Sequence, residues 1–120
     1  MILIMTREGI KMTKFIVDRK TWYRGKGSVN SRLLRVEDGM RCCIGHVGRQ
    51  CGIGDDSLRE KDAIINVLML VDHKWPKWML TTAIKDAYFI NDNMDMDDTN
   101  RELQLQALFV RYGDEIEFVD

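Results

Sequence analysis

The sequence predicts a single α+β domain in which a small antiparallel sheet joins strands near the two termini and three to four helices pack on one face. Three observations carry that expectation. The 120 residues can build one hydrophobic core but not two. Short β-branched or alternating segments lie near both ends, at residues 14–18 and 115–119. Between them, apolar residues recur at helical spacing. The composition, 45% hydrophobic and 31% charged with one proline, belongs to a folded globule and not to a disordered or collagen-like chain.

Residues 1–12 are expected to form a flexible N-terminal extension and 13–120 the globular domain. Met1, Met5 and Met12 are all candidate initiators, and patterned sequence begins near Lys14. The run Met1-Ile-Leu-Ile-Met5 is too short for a signal sequence, and Arg7 and Glu8 follow it with no small-residue cleavage site. The longest apolar run, 63–71, is interrupted by Asn66 and flanked by Asp62 and Asp72. It falls short of the roughly 18 residues that span a bilayer, so no membrane partner is expected. Cys42, Cys43 and Cys51 are odd in number and clustered, a poor disulfide framework that fits thiols in a cytoplasm.

The first patterned strand, 14–18, ends at Asp18, which can cap a brief helix carrying Thr21, Trp22 and Tyr23. Arg24-Gly-Lys-Gly-Ser28 then supplies two glycines for a turn. Residues 31–36 read as a second short strand, closed by the turn Glu37-Asp38-Gly39. From Met40 the period becomes helical: Met40, Cys43, Ile44, Val47 and Cys51 form a core stripe that Gly52 ends. Gly45 and Gly48 each cost about 1 kcal/mol relative to alanine in a helix interior, so something should approach their face closely. A second helix is expected there in preference to a ligand.

Segment 63–71 is apolar all round, which makes it central or an interface and makes a homodimer reasonable. Pro76 sits at a first helical position, and Leu80, Ala83, Ile84, Ala87 and Tyr88 continue the stripe to about Ile90. The loop 91–98 follows. Thr99 and Glu102 have the spacing of a capping box for a helix through Leu103, Leu105, Ala107, Leu108 and Tyr112, closed by Gly113. The final segment, 115–119, alternates like a half-exposed strand.

Charge is divided along the chain. Between Lys11 and Arg49 there are ten basic residues against three acids, a net of +7, whereas from Asn91 onward the net is −7. Such a division can focus an anionic ligand at one end, or the two ends can pair internally on folding.

The basic half contains the strongest candidate site: Trp22, Tyr23, Arg24, Gly25, Lys26 and Ser28, with Arg32 and Arg35 beyond. Aromatic faces can stack, cations can donate to phosphate, and glycine amides can turn toward an anion. The spacing is neither a Walker loop nor a dinucleotide fingerprint. The bland reading of Trp22 is a core or cap residue. The expected partner is an anionic, nucleotide-like small molecule or a protein; nucleic acid is not.

Cys42 and His46, one turn apart on the face opposite the core stripe, could ligate a metal or form a thiolate pair, with Cys51 or His73 as further ligands. No zinc spacing results, and the default is two core thiols, Cys43 and Cys51, plus a surface thiol, Cys42. Asn91, Asn93, Asp95, Asp97 and Glu102 have the offsets of a calcium loop, but Met96 stands where glycine is needed, so an acidic capping loop is preferred. Trp75 and Trp78 could face a partner, although a hydrophobic helix start is the simpler reading. No catalytic residue, metal site or cofactor is assigned.

The set Trp22-x-Arg24-Gly25, Ser31-Arg-Leu-Leu34, Gly39-Met-Arg-Cys-Cys-Ile-Gly45, Cys51-Gly-Ile53, Trp75-Pro-x-Trp78, Ile90-Asn-Asp92, Leu108-Phe-x-x-x-Gly113 and Glu117-Phe-Val119 carries a resemblance that covers about residues 15–119. It resembles an uncharacterised family of small phage, prophage and bacterial proteins with a Trp-x-Arg-Gly start and a Gly-x-x-Cys-Cys-Leu-Gly-like centre. Ile44 and His46 replace the apolar pair of that centre. By analogy, the resemblance implies an accessory protein of the host cytoplasm that antagonises host defence. It would either sequester a nucleotide-derived signal or inhibit a defence protein through its acidic C-terminal or apolar surface. A third possibility is a small enzyme using Cys42 and His46.

Overall fold

The computed structural model describes residues 2–5, 9, 11–27, 31–61 and 74–120. Strands β1 (Ile2–Met5), β2 (Lys11–Asp18) and β3 (Asp114–Val119) form one sheet in that order. The described helices are α1 (Cys43–Gln50), α2 (Asp55–Leu58), α3 (Ile84–Asp92) and α4 (Asp98–Arg111), with 3₁₀ turns at Arg19–Thr21 and Lys77–Leu80. The class is α+β, and the sheet joins the N-terminal and C-terminal segments.

The pairing differs from the expected all-antiparallel sheet. β1 runs antiparallel to β2, from Ile2 opposite Lys14 to Met5 opposite Lys11. β3 runs parallel to β2, from Thr13 beside Asp114 to Asp18 beside Val119. A parallel neighbour requires a long crossover, and every described helix lies in the connection between β2 and β3. Gly113, at φ +88°, then turns the chain from α4 into β3.

One face of the sheet is dry. Phe15 and Val17 alternate inward from β2, as do Ile116 and Phe118 from β3, and all four are buried. Phe109 of α4 meets Phe15 edge-on at 6.2 Å and Trp78 edge-on at 5.1 Å. β1 lies at the sheet edge with Ile2, Leu3 and Met5 exposed. It reaches only as far as Lys14, so Gln50 serves the next stretch of β2: its side-chain amide accepts from Ile16 N at 2.8 Å and donates to Ile16 O at 2.5 Å.

Three other expectations are corrected. Residues 31–36 are not a strand: Leu34 makes an isolated bridge with Arg59, and adjacent Leu33 and Leu34 are both buried, which strand alternation forbids on one face. The helix expected from Pro76 to Ile90 is interrupted at Thr81, whose hydroxyl donates to Trp78 O at 2.6 Å and accepts from Ala83 N at 3.2 Å. That side chain ends the 3₁₀ turn and starts the next segment. The cap of α4 is Asp97, which accepts from Asn100 N at 2.8 Å, and not a Thr99–Glu102 box; Glu102 instead meets Arg19. Segment 63–71 lies outside the described residues.

α1 is buried from Cys43 to Gly48. A Cβ on Gly45 would strike the Leu33 backbone, and one on Gly48 would lie 2.5 Å from Cη2 of Trp75. The close approach foreseen for these glycines is therefore supplied by a loop backbone and an indole, not by a second helix.

Candidate functional site

Asp18 accepts from Lys20 N at 2.9 Å and caps the short turn after β2, as anticipated. The chain then leaves the sheet, and Gly25 and Gly27, with φ of +69° and +60°, carry it along the C-terminal end of α3. Their amides donate to Asn91 O and Asp92 O at 2.8 and 2.7 Å. These glycine N–H groups face protein carbonyls rather than an open anion nest.

Trp22, Tyr23, Arg24, Gly25, Lys26 and Arg35 line one open groove of about 720 Å³ together with Asp38, Met40, Asp98 and Arg101. Five members of the segment 22–26 thus meet Arg35 from farther along the chain. Arg32 is not among the lining residues and pairs with Glu60 at 3.3 Å. Ser28 and His73 lie outside the described residues.

Trp22 is buried beneath Arg24, whose guanidinium carbon lies 4.4 Å from the ring centroid, and against Phe118 at 4.5 Å on the core side. Arg35 covers Tyr23 at 4.1 Å. The flat surfaces on offer are therefore those of guanidinium groups stacked on aromatic rings.

Most charges in the groove have partners. Arg24 Nε lies 3.2 Å from Asp98 and Arg35 Nε 3.3 Å from Asp38, but neither Nε makes a properly directed hydrogen bond. Asp98 is held below the usual carboxylate range: partial burial opposes this, and the hydrogen bond from Arg101 together with the charge of Arg24 outweighs it. Lys26 is exposed and has no carboxylate partner among the described residues.

The division of charge along the chain becomes contact in space. Lys14–Glu117 at 3.0 Å, Arg19–Glu102 at 2.8 Å, Arg19–Asp120 at 3.0 Å and Arg24–Asp98 all join the basic half to the acidic half. Internal pairing takes up part of what looked like an uncompensated dipole.

Behind the groove lies a buried hub centred on Asn91, which belongs to the end of α3 and not to the capping loop expected from the sequence. Asn91 Oδ1 accepts from Trp22 Nε1 at 2.7 Å and Cys43 N at 3.0 Å, while its Nδ2 donates to Tyr23 O at 3.0 Å and Asp92 Oδ1 at 2.9 Å. Arg101, 3% exposed, donates to the carbonyls of Ile90, Asn91, Asn93 and Met96 and to Asp98. It therefore organises backbone. The Ile90-Asn-Asp92 string was the sequence signal that could have flagged this hub.

The calcium-loop offsets are occupied otherwise: Asn91 is in the hub, Asn93 accepts from Asp95 N, Asp97 caps α4 and Glu102 pairs with Arg19. No metal-sized cluster of His, Cys, Asp and Glu occurs among the described residues. Cys42 and His46 do not lie on a wet face, because α1 is buried from Cys43 to Gly48; both are buried, and Cys51 is the partly exposed thiol. Burial pushes the Cys42 thiol up to about 12 and lowers His46 to about 4, so the pair is thiol and neutral imidazole near pH 7. Trp75 and Trp78 are also buried, the latter donating to Asp114 at 2.9 Å.

No helix among the described residues is long and apolar enough to cross a membrane. The chain matches no family model, no curated protein and no solved structure.

Proposed function

We propose that the chain is a small binding module for an anionic, nucleotide-like ligand held in the groove of Tyr23, Arg24, Lys26 and Arg35. The observation that carries this reading is the convergence of those four side chains on one concavity of about 720 Å³, within the size range of small-molecule sites. Lys26 supplies a cation with no carboxylate partner among the described residues, and Arg24 and Arg35 supply planar donors. Arg24 pairs with Asp98, and Arg35 with Asp38 and with Glu37 at 2.5 Å; these carboxylates are 53%, 36% and 73% exposed, so the pairs are weak enough for a phosphate to compete.

The resemblance to small phage and prophage proteins adds a setting. There the role is to sequester a nucleotide-derived signal of host defence in the host cytoplasm. The absence of disulfides among the three thiols fits a reducing compartment.

Calorimetric titration with cyclic dinucleotides and ADP-ribose derivatives tests the reading. Binding is expected for at least one of them, with Lys26→Ala and Arg35→Ala each weakening it about tenfold. Absence of heat with every probe rejects it.

A second reading is inhibition of a defence protein through an apolar surface. It draws on the groove of about 420 Å³ between α3 and α4, where Phe89, Ile90, Ala107 and Leu108 are flanked by Asp86, Gln104 and Arg111 and Phe89 is 64% exposed.

A further inference from the structure

A smaller pocket of about 350 Å³ opens on the other side of the glycine segment, lined by Gly27, Tyr88, Phe89, Asp92, Asn93, Met94 and Asp95. Tyr88 and Asp92 are buried and form its floor; Phe89, 64% exposed, and Met94, 68% exposed, stand at its rim. Its chemistry is opposite to that of the basic groove. Among the described residues, the titratable side chains in its lining are two carboxylates and one phenol, with no cation.

Asp92 is 5% exposed and only half satisfied. Oδ1 accepts from Ser31 Oγ and from Asn91 Nδ2, whereas Oδ2 is buried with no hydrogen-bond partner among the described residues. A buried carboxylate oxygen without a donor is costly, and a cation is the ordinary remedy. The neighbouring cation is not spent on it: Arg101 directs its donors to four main-chain carbonyls and to Asp98. Burial accordingly raises the Asp92 carboxyl above its usual range, with the Ser31 and Asn91 bonds and the charge of Arg101 offsetting only part of that.

The walls indicate which cation. A metal ion needs several oxygen, nitrogen or sulfur ligands, and no such cluster is present among the described residues. Phe89 offers an exposed ring, backed edge-on by the buried Tyr88 with centroids 5.9 Å apart at 69°, and such a ring attracts an organic cation. Met94 lies over Gly27, with its Sδ where a Cβ on that residue would stand. It is an unbranched, exposed side chain at the mouth of the pocket that can turn outward and widen it.

We propose that this pocket binds an organic cation, a guanidinium or alkylammonium group, whose N–H donors complete Asp92 Oδ2 while its flat or methylene portion rests on Phe89. A free polyamine-type molecule and an arginine or lysine side chain of a peptide both present that chemistry.

Amide NMR titration of the full chain with agmatine, and separately with the capped peptide Gly-Arg-Gly, tests the proposal. Saturable shifts centred on Gly27, Phe89 and Asn93 are expected. Tighter binding of agmatine identifies a free cation as the source, and tighter binding of the peptide a side chain; either supports the site. Asp92→Asn keeps an acceptor for Ser31 and Asn91 but sets an amide where the cation's donors belong, and should weaken binding about tenfold. Phe89→Ala, at an exposed position, should weaken it without changing the fold, as reported by the unperturbed spectrum. Lys26→Ala should leave it unchanged, which separates this site from the anionic-ligand groove. No saturable shift with either probe, wild-type binding by Asp92→Asn, or displacement of agmatine by equimolar calcium overturns the proposal.

Discussion

The buried hub around Asn91 and the groove beside it are built from the same kinds of polar group but use them differently. Each side-chain polar atom of Asn91 has a partner inside the protein, from Trp22, Cys43, Tyr23 and Asp92. The groove a few ångströms outward is left incomplete: Lys26 lacks a carboxylate partner among the described residues, and the Nε atoms of Arg24 and Arg35 lack directed hydrogen bonds. Removing one member of a complete buried network exposes the desolvation cost of the others, whereas removing an incomplete surface group costs little. The comparison teaches where this domain keeps stability and where it keeps capacity for a ligand.

The largest test of that contrast is Asn91→Ala. It strands Trp22 Nε1, Cys43 N and Tyr23 O together, and the expected loss is about 3 kcal/mol or more of unfolding free energy by urea denaturation. A loss below about 1 kcal/mol would mean that water or a local shift replaces the amide and that the hub is not the keystone argued here.

A medium effect is expected from His46 in the adjoining helix, which folding holds neutral. Its folded pKa of about 4 lies below the ordinary histidine value of 6.5, so the unfolded chain binds more protons between those pH values. Stability from this group is fully present above pH 6.5 and is lost as pH falls toward 4. The slope corresponds to about 2 kcal/mol between pH 6.5 and 5. Asp92 works in the opposite sense, since a raised carboxyl pKa favours folding as it protonates, and its window is that of a carboxylate, centred lower. Thermal melts of His46→Gln across this range should show a flatter pH dependence than the parent chain.

The smallest stability effect belongs to the groove itself. Lys26→Ala should leave the urea midpoint where it is while weakening the anionic ligand. A shifted midpoint would move Lys26 from the ligand side of the comparison to the structural side.

Much of the fold was legible because its signals are local. The cap at Asp18, the turn at Gly39 with φ +73°, and Gly113 at the end of α4 follow from conformations that few other residues adopt cheaply. The candidate site was legible only where it is contiguous: residues 22–26 line the groove, and Arg35 joins them by stacking on Tyr23. The stripe through Met40 and Val47 identified α1, but a stripe records which face is apolar and not whether the opposite face is also covered. Cys42 and His46 therefore looked accessible and are not.

The sequence by itself determined the α+β class, the helix and strand segments with strong periodicity, and the basic stretch that lines the groove, because periodicity, capping and turn chemistry act over a few residues. Tertiary structure alone decided the parallel pairing of β2 with β3, the ion pairs that join the two charged halves, and the bond from Trp22 to Asn91 across 69 positions. Those outcomes depend on which buried donor meets which acceptor once the chain is compact, and no local pattern carries that information.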